Sequence, residues 1–201
     1  MWVAIRSAWP LFVGMILLMV SNGLLSTILT IRAQEIGFSE TIIGLVQSGY
    51  PIGFIFSCFI TPKLITNAGH VRVFAALVSI ASTAALIHLI TYDPLSWGAM
   101  RIVSGFCFSG IYIVAESWLN TVSDNKNRGS MLSTYFVIQT GGYMVGQLLL
   151  GLSRPGEIDL FIFTSVLLSF ALVPILISAT KQPSIDDPQR VTIAELFRLS
   201  P

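Results

Sequence analysis

Charge is what this sequence has least of. Only 10% of its 201 residues are Asp, Glu, Lys or Arg, where a soluble domain carries about 25%. That shortage excludes an ordinary solvated surface. The eleven basic and ten acidic residues nearly cancel, leaving a net charge of +1. With no run of Lys and Arg, the sequence offers nothing to a nucleic-acid partner. Its two cysteines, Cys58 and Cys107, are too few for a disulfide-stapled scaffold, and both fall in apolar stretches, where they read as small buried hydrophobes. Neither G-x-S-x-G nor H-E-x-x-H occurs, so an intramembrane enzyme would lack its usual signatures. No pattern for a cofactor or a metal stands out.

What is present is apolar length. Hydrophobic residues make up 54% of the chain, and the mean hydropathy is +0.79. Six stretches can cross a bilayer, each near or above the roughly 20 residues required: Ala8 to Ile31, Thr41 to Ile65, Val71 to Tyr92, Leu95 to Asn120, Ser130 to Leu152 and Ile158 to Thr180. They lack period-2 alternation and are too long for barrel strands, so helices are expected. The first is too long for a signal-peptide core and has no A-x-A-like site after it, so it is expected to remain. The predicted fold class is all-α integral membrane, a six-helix bundle over residues 1–180. Its loops are too short for a soluble domain. Beyond it, residues 181–201 begin as a linker with two prolines and two aspartates, and Thr192-Ile193-Ala194-Glu195 then reads as a capping box opening a short amphipathic helix.

Orientation follows from the basic residues. With the N-terminus inside, the inner segments hold Arg6, Lys63, Arg72, Lys126, Arg128, Lys181, Arg190 and Arg198, and the outer loops hold only Arg32 and Arg154. Both termini are therefore expected on the cytoplasmic side of the cell membrane.

One cation does not fit that distribution. Arg101 lies inside the fourth stretch, where a guanidinium costs roughly 2.5 to 3.5 kcal/mol on insertion scales and normally turns toward a bundle interior or a watery cavity. Glu116 lies in the same stretch. Arg101, Gly105, Phe108, Tyr112 and Glu116 recur at helical spacing and form one stripe. Fifteen residues of helix separate the two charges by about 22 Å, so each needs its own partner. A polar track through the membrane is one reading; snorkelling to the two interfaces is the other. On the first stretch Asn22, Ser26 and Thr30 recur every four residues, a polar face suited to lining a cavity or to bonding between helices. Gln47, Gln139 and Gln147 add to this set, and Gln139 shares a face with Tyr135 and Tyr143. His88, toward the outer end of the third stretch, reads as interfacial.

Gly49-Tyr50-Pro51-Ile52-Gly53 and Gly142-Tyr143-Met144-Val145-Gly146 are both small-xxx-small motifs, which let backbones approach closely. They suit either contact with a second helical body or packing within the bundle. Pro51 is expected to bend its helix.

These residues together resemble the N-terminal half of a major facilitator superfamily transporter, and within it the YcaD-like branch. The fourth-helix R-x-x-x-G pattern of that family stands here as Arg101 to Gly105, followed by Gly110, and its loop Arg-Gly pair as Arg128-Gly129. The branch resemblance rests on Glu116-Ser117, on Asn127 through Leu132 and Tyr135, and on Gly146-Gln147-Leu148. The resemblance implies a twelve-helix fold of which this chain supplies one 3+3 half. It implies alternating-access transport of a small solute, with Arg101, Glu116, Tyr112, Asn22, Ser26 and Gln139 on the substrate or proton pathway. Gly49, Gly53, Gly142 and Gly146 would then face the second six-helix half, supplied by another chain or copy. The family's first signature is weak here: Gly69, His70 and Arg72 remain of the gating loop, while Thr66 stands where a carboxylate is expected. A pair between Arg72 and Glu116 is one available substitute; Arg72 as a simple positive-inside anchor is the other reading. A chain of this length reads as a fragment or split half, and the alternative class is a non-transport membrane scaffold or an intramembrane enzyme.

Overall fold

A computed structural model of the chain describes residues 2–152 and 158–178, with side chains from residue 8 onward except at 152. The second outer turn at residues 153–157 and the linker with its amphipathic segment at 181–201 lie outside the described residues. The elements are α1 (Trp2–Glu35), α2 (Glu40–Ala68), α3 (His70–Ile90), α4 (Pro94–Val122), α5 (Arg128–Leu149), a 3-10 turn at Leu150–Leu152, and α6 (Ile158–Ile177).

Local chemistry explains where the helices begin and end. The Ser39 hydroxyl accepts a hydrogen bond from the Ile42 N–H at the start of α2, and the Asp93 carboxylate accepts one from the Ser96 N–H at 2.9 Å to open α4, with Pro94 in the first turn. Both occupy the N-cap position, where a side-chain oxygen satisfies an otherwise orphaned donor. The break between α2 and α3 is shorter than the sequence suggests. A single residue, Gly69, separates them, and its φ of 84° lies in the left-handed region that a side chain disfavours. α2 runs unbroken through Pro51 and Pro62.

Five of the six helices are long and apolar enough to cross a membrane by length and composition; α5 is not among them. The reason is its polar content, which includes Ser130, Ser133, Thr134, Gln139, Thr140 and Gln147. A helix lining a polar space inside a bundle has this composition.

α1 packs between α5 and α6, α4 packs between α2 and α3, and α3 meets α6. Exchanging each helix with the one three places along maps the α2 contact with α4 onto the α5 contact with α1. It also maps the α3 contact with α4 onto the α6 contact with α1. The architecture is thus two three-helix units interleaved, the internal-repeat organisation of transporter halves. One core cluster gathers Met15, Leu18, Phe74, Phe108, Trp118 and Tyr135; a second, nearer the other end, gathers Leu24, Ile28, Trp97 and Phe161. Large apolar side chains such as Leu45, Phe59, Val137 and Leu148 point outward. An outward apolar surface of that extent fits a lipid or protein neighbour rather than water.

The glycine motifs find their neighbours inside the chain. A Cβ at Gly53 would collide with the Ile102 carbonyl of α4, and one at Gly49 would stand 2.8 Å from the Gly98 carbonyl. Gly142 and Gly146 meet α1 in the same manner, at Met19 and at the Val20 carbonyl. The contacts are reciprocal: Gly105 of α4 receives the Tyr50 backbone, and Gly23 of α1 receives that of Tyr143. Of the two readings of these motifs, close packing within the bundle is the one these contacts carry. A second body would have to meet other faces of α2 and α5.

Two further residues depart from expectation. His88 does not reach an exposed interface; it is buried, its Nδ1 lies 2.7 Å from the Ala84 carbonyl, and its ring meets the edge of Trp97 at 5.2 Å. Trp97 is large enough to close that end of the bundle over the histidine. Cys107 is buried as expected, but Cys58 lies on the outer side of α2 and is exposed.

Candidate functional site

Arg101 is 7% exposed and turns inward, not toward an interface. The centre of its guanidinium lies 4.5 Å from the centroid of the Tyr50 ring, a cation-π arrangement worth up to about 2 kcal/mol when desolvated. Its Nε is buried without a hydrogen-bond partner. Among the described residues the sole ion pair is Arg32 with Glu35, at 3.3 Å on the surface. The guanidinium therefore has an aromatic face but no carboxylate among the described residues.

From Tyr50 the polar groups continue across the bundle. Its hydroxyl has Asn22 and Tyr112 as polar neighbours, and the Asn22 amide donates to the Tyr112 hydroxyl at 3.0 Å. Tyr112 lines a cavity of about 340 Å³ together with Met19, Gln139, Thr140, Tyr143 and Met144. Gln139 donates to the Tyr135 hydroxyl at 3.0 Å, and that hydroxyl is the polar partner of Glu116. Arg101 and Glu116, too far apart to pair, are thus linked by Tyr50, Asn22, Tyr112, Gln139 and Tyr135, with the cavity in the middle. A larger space of about 450 Å³ lies between α2 and α4, lined by Ile42, Leu45, Ile52, Leu95 and Ile102. It is an apolar outer groove apart from this chain of groups.

A second branch reaches Ser26. Its hydroxyl lies 2.8 Å from that of Tyr143, and Gln147 donates to the Gly23 carbonyl at 2.8 Å while accepting from Thr27 at 2.9 Å. Gln47 donates to Thr30 at 2.8 Å. The polar face expected on α1 is therefore real in its contacts, yet most of its members bond to neighbouring helices, and Asn22 and Ser26 stand nearest the cavity. Tyr50, Tyr135 and Tyr143 were not singled out from the sequence as pathway residues. The available signal was the repeated Gly-Tyr at 49-50 and 142-143, which places a tyrosine at the same point of both repeats.

The α2–α3 turn does not form a pair between Arg72 and Glu116. Arg72 is exposed and makes no ion pair among the described residues, and Glu116 is engaged with Tyr135 instead. His70, the next residue after Gly69, supplies the contact to α4: its Nε2 lies 3.0 Å from the Ser117 hydroxyl, and its ring sits beside Trp118. Arg128 at the start of α5 donates from Nε to the Asn120 side chain at 2.7 Å, tying α5 to the end of α4.

A bundle of long apolar helices with its polar groups gathered inside and its apolar groups turned outward is a multi-pass membrane protein. The chain belongs to the Major Facilitator Superfamily, whose family model matches residues 11–197. Among its relatives is an uncharacterized MFS-type transporter of Yersinia pestis, 25% identical over 171 residues, which cover 85% of this chain and 45% of the relative. Uncharacterized MFS-type transporters YcaD of Escherichia fergusonii and of Escherichia coli are 26% and 25% identical over 196 residues, covering 96% of this chain and 51% of each relative. The chain thus spans about half the length of the curated relatives it matches. No solved structure matches it.

Proposed function

We propose that this chain is one six-helix half of a secondary active transporter that moves a small solute by alternating access. The observation that carries the reading is Arg101, buried in a membrane helix without a counter-ion among the described residues and linked by polar side chains to a cavity shared by α1, α4 and α5. A charge held at membrane depth is costly unless it serves a pathway, and a packing scaffold has no need of it. A membrane enzyme would need a nucleophile with a base beside it, and the groups around this cavity are hydroxyls, an amide and thioethers.

In this reading Asn22, Ser26, Tyr112 and Gln139 orient solute, and Glu116 with Tyr135 is the site through which protons couple to transport. Gly69, His70 and Arg128 join the inner ends of the helices, and both termini lie on the cytoplasmic side of the cell membrane. A second six-helix body, another chain or copy, completes the central cavity by covering the outer faces of α2 and α5. The test is uptake into proteoliposomes by the complete assembly. Solute accumulation that collapses in Arg101→Lys and Arg101→Leu while insertion is retained supports the proposal. Glu116→Gln should leave flux that no longer responds to an imposed proton gradient. Flux unaffected by any of these variants would remove the pathway from this part of the bundle.

A further inference from the structure

The missing partner of Arg101 has a chemistry that the surroundings narrow down. Glu116 lies about 22 Å along the same helix and is engaged with Tyr135. Asp93 caps the first turn of α4 through the Ser96 N–H and hydroxyl. Glu35, Glu40, Asp124 and Asp159 stand at or near helix ends. No acid among the described residues is left to neutralise the guanidinium. The other described cations outside the first turn of α1, Arg32, Lys63, Arg72, Lys126 and Arg128, also sit at helix ends or in a loop. The site thus offers a single positive charge.

Tyr143 joins this charge to the cavity. Its side chain lines the cavity and, like Tyr50 and His88, interacts electrostatically with Arg101. The rest of the lining sets aromatic and thioether surface from Met19, Tyr112 and Met144 beside the polar side chains of Gln139 and Thr140, with no second cation. A strongly hydrated anion such as phosphate would need several donors and more than one cation to replace its water. A carboxylate with an apolar body needs one planar fork and an apolar wall.

We infer that the transported solute is a small organic monoanion whose carboxylate pairs with Arg101 past Tyr143, its apolar part lying against Met19, Tyr112 and Met144. This rests on the transport reading above, but it is tested by binding, which needs no flux. The probe is labelled benzoate on the full chain in phosphatidylcholine nanodiscs, with benzamide as its uncharged counterpart. The wild-type chain should bind benzoate about tenfold more tightly than benzamide. Arg101→Gln should abolish that preference, and Tyr143→Phe should reduce it about threefold. Equal binding of the two compounds by the wild-type chain overturns the inference without relying on any variant to fold. Displacement of benzoate when phosphatidylglycerol replaces phosphatidylcholine would give the guanidinium to a lipid headgroup and overturn it as well. Uptake measured in parallel separates the two claims. Flux of some solute that depends on Arg101, with no benzoate preference, sinks the anion alone; a benzoate preference without any flux supports the anion site and sinks transport.

Discussion

The guanidinium of Arg101 lies over the ring of Tyr50, 4.5 Å from its centroid, and the two residues come from helices whose backbones nearly touch. Gly49 and Gly53 on α2 and Gly105 on α4 make that approach possible, since a Cβ at any of them would meet backbone of the other helix. The small residues therefore set the geometry of the charge. A wider α2–α4 separation would take the ring off the cation and raise the cost of burying it.

Replacing the ring tests this directly. Tyr50→Phe keeps the face and should cost little, whereas Tyr50→Leu removes it and should destabilise the bundle by about 2 kcal/mol. Denaturation of the purified chain in detergent would measure both. Equal losses would show that the ring contributes packing and nothing to the charge.

The glycines give a sharper contrast. Gly53→Ala should destabilise by about 1 to 3 kcal/mol through overpacking, because its Cβ runs into the Ile102 carbonyl. Gly44→Ala on the same helix has open space around it and should be neutral or stabilising by up to about 1 kcal/mol. Similar behaviour of the two would mean that the α2–α4 contact is looser than described.

His70 offers a test at the other end of α4. With its ring against Ser117 and Trp118, His70→Ala should lower stability by about 1 to 2 kcal/mol through the lost hydrogen bond and packing. Arg72→Ala should change it by less than about 0.5 kcal/mol, as an exposed side chain with no ion pair among the described residues. A larger effect at Arg72 would restore it as the contact of that turn.

Topology can be read by labelling single cysteines in a chain whose Cys58 is replaced by Ser. Asn125→Cys, in the exposed turn before α5, should react only after the membrane is opened, and Tyr92→Cys, exposed between α3 and α4, should react from outside. The reverse pattern would invert the orientation expected from the basic residues.

The helices themselves were legible in the sequence, because an apolar run of membrane length leaves the backbone one way to satisfy its hydrogen bonds. Arg101 as an inward residue was legible for the same reason: a charge at that depth has few other places to go. The pairings were not. Glu116 could be matched to Arg72 on placement alone, but the structure gives it Tyr135, because which helix faces which is set by packing across the whole bundle. The glycine motifs showed that close approach was needed without saying to what, since G-x-x-x-G is self-similar and names no partner. Tyr50 and Tyr143 carry no charge, and the Gly-Tyr pair they share marks equivalent points of two repeats without naming a neighbour, so only the folded chain could bring them together around Asn22, Tyr112 and the guanidinium. The sequence determined the solvent this chain lives in and the residue it could least easily hide. The tertiary structure decided what surrounds that residue, because burial and hydrogen bonding between helices depend on distances that no single helix contains.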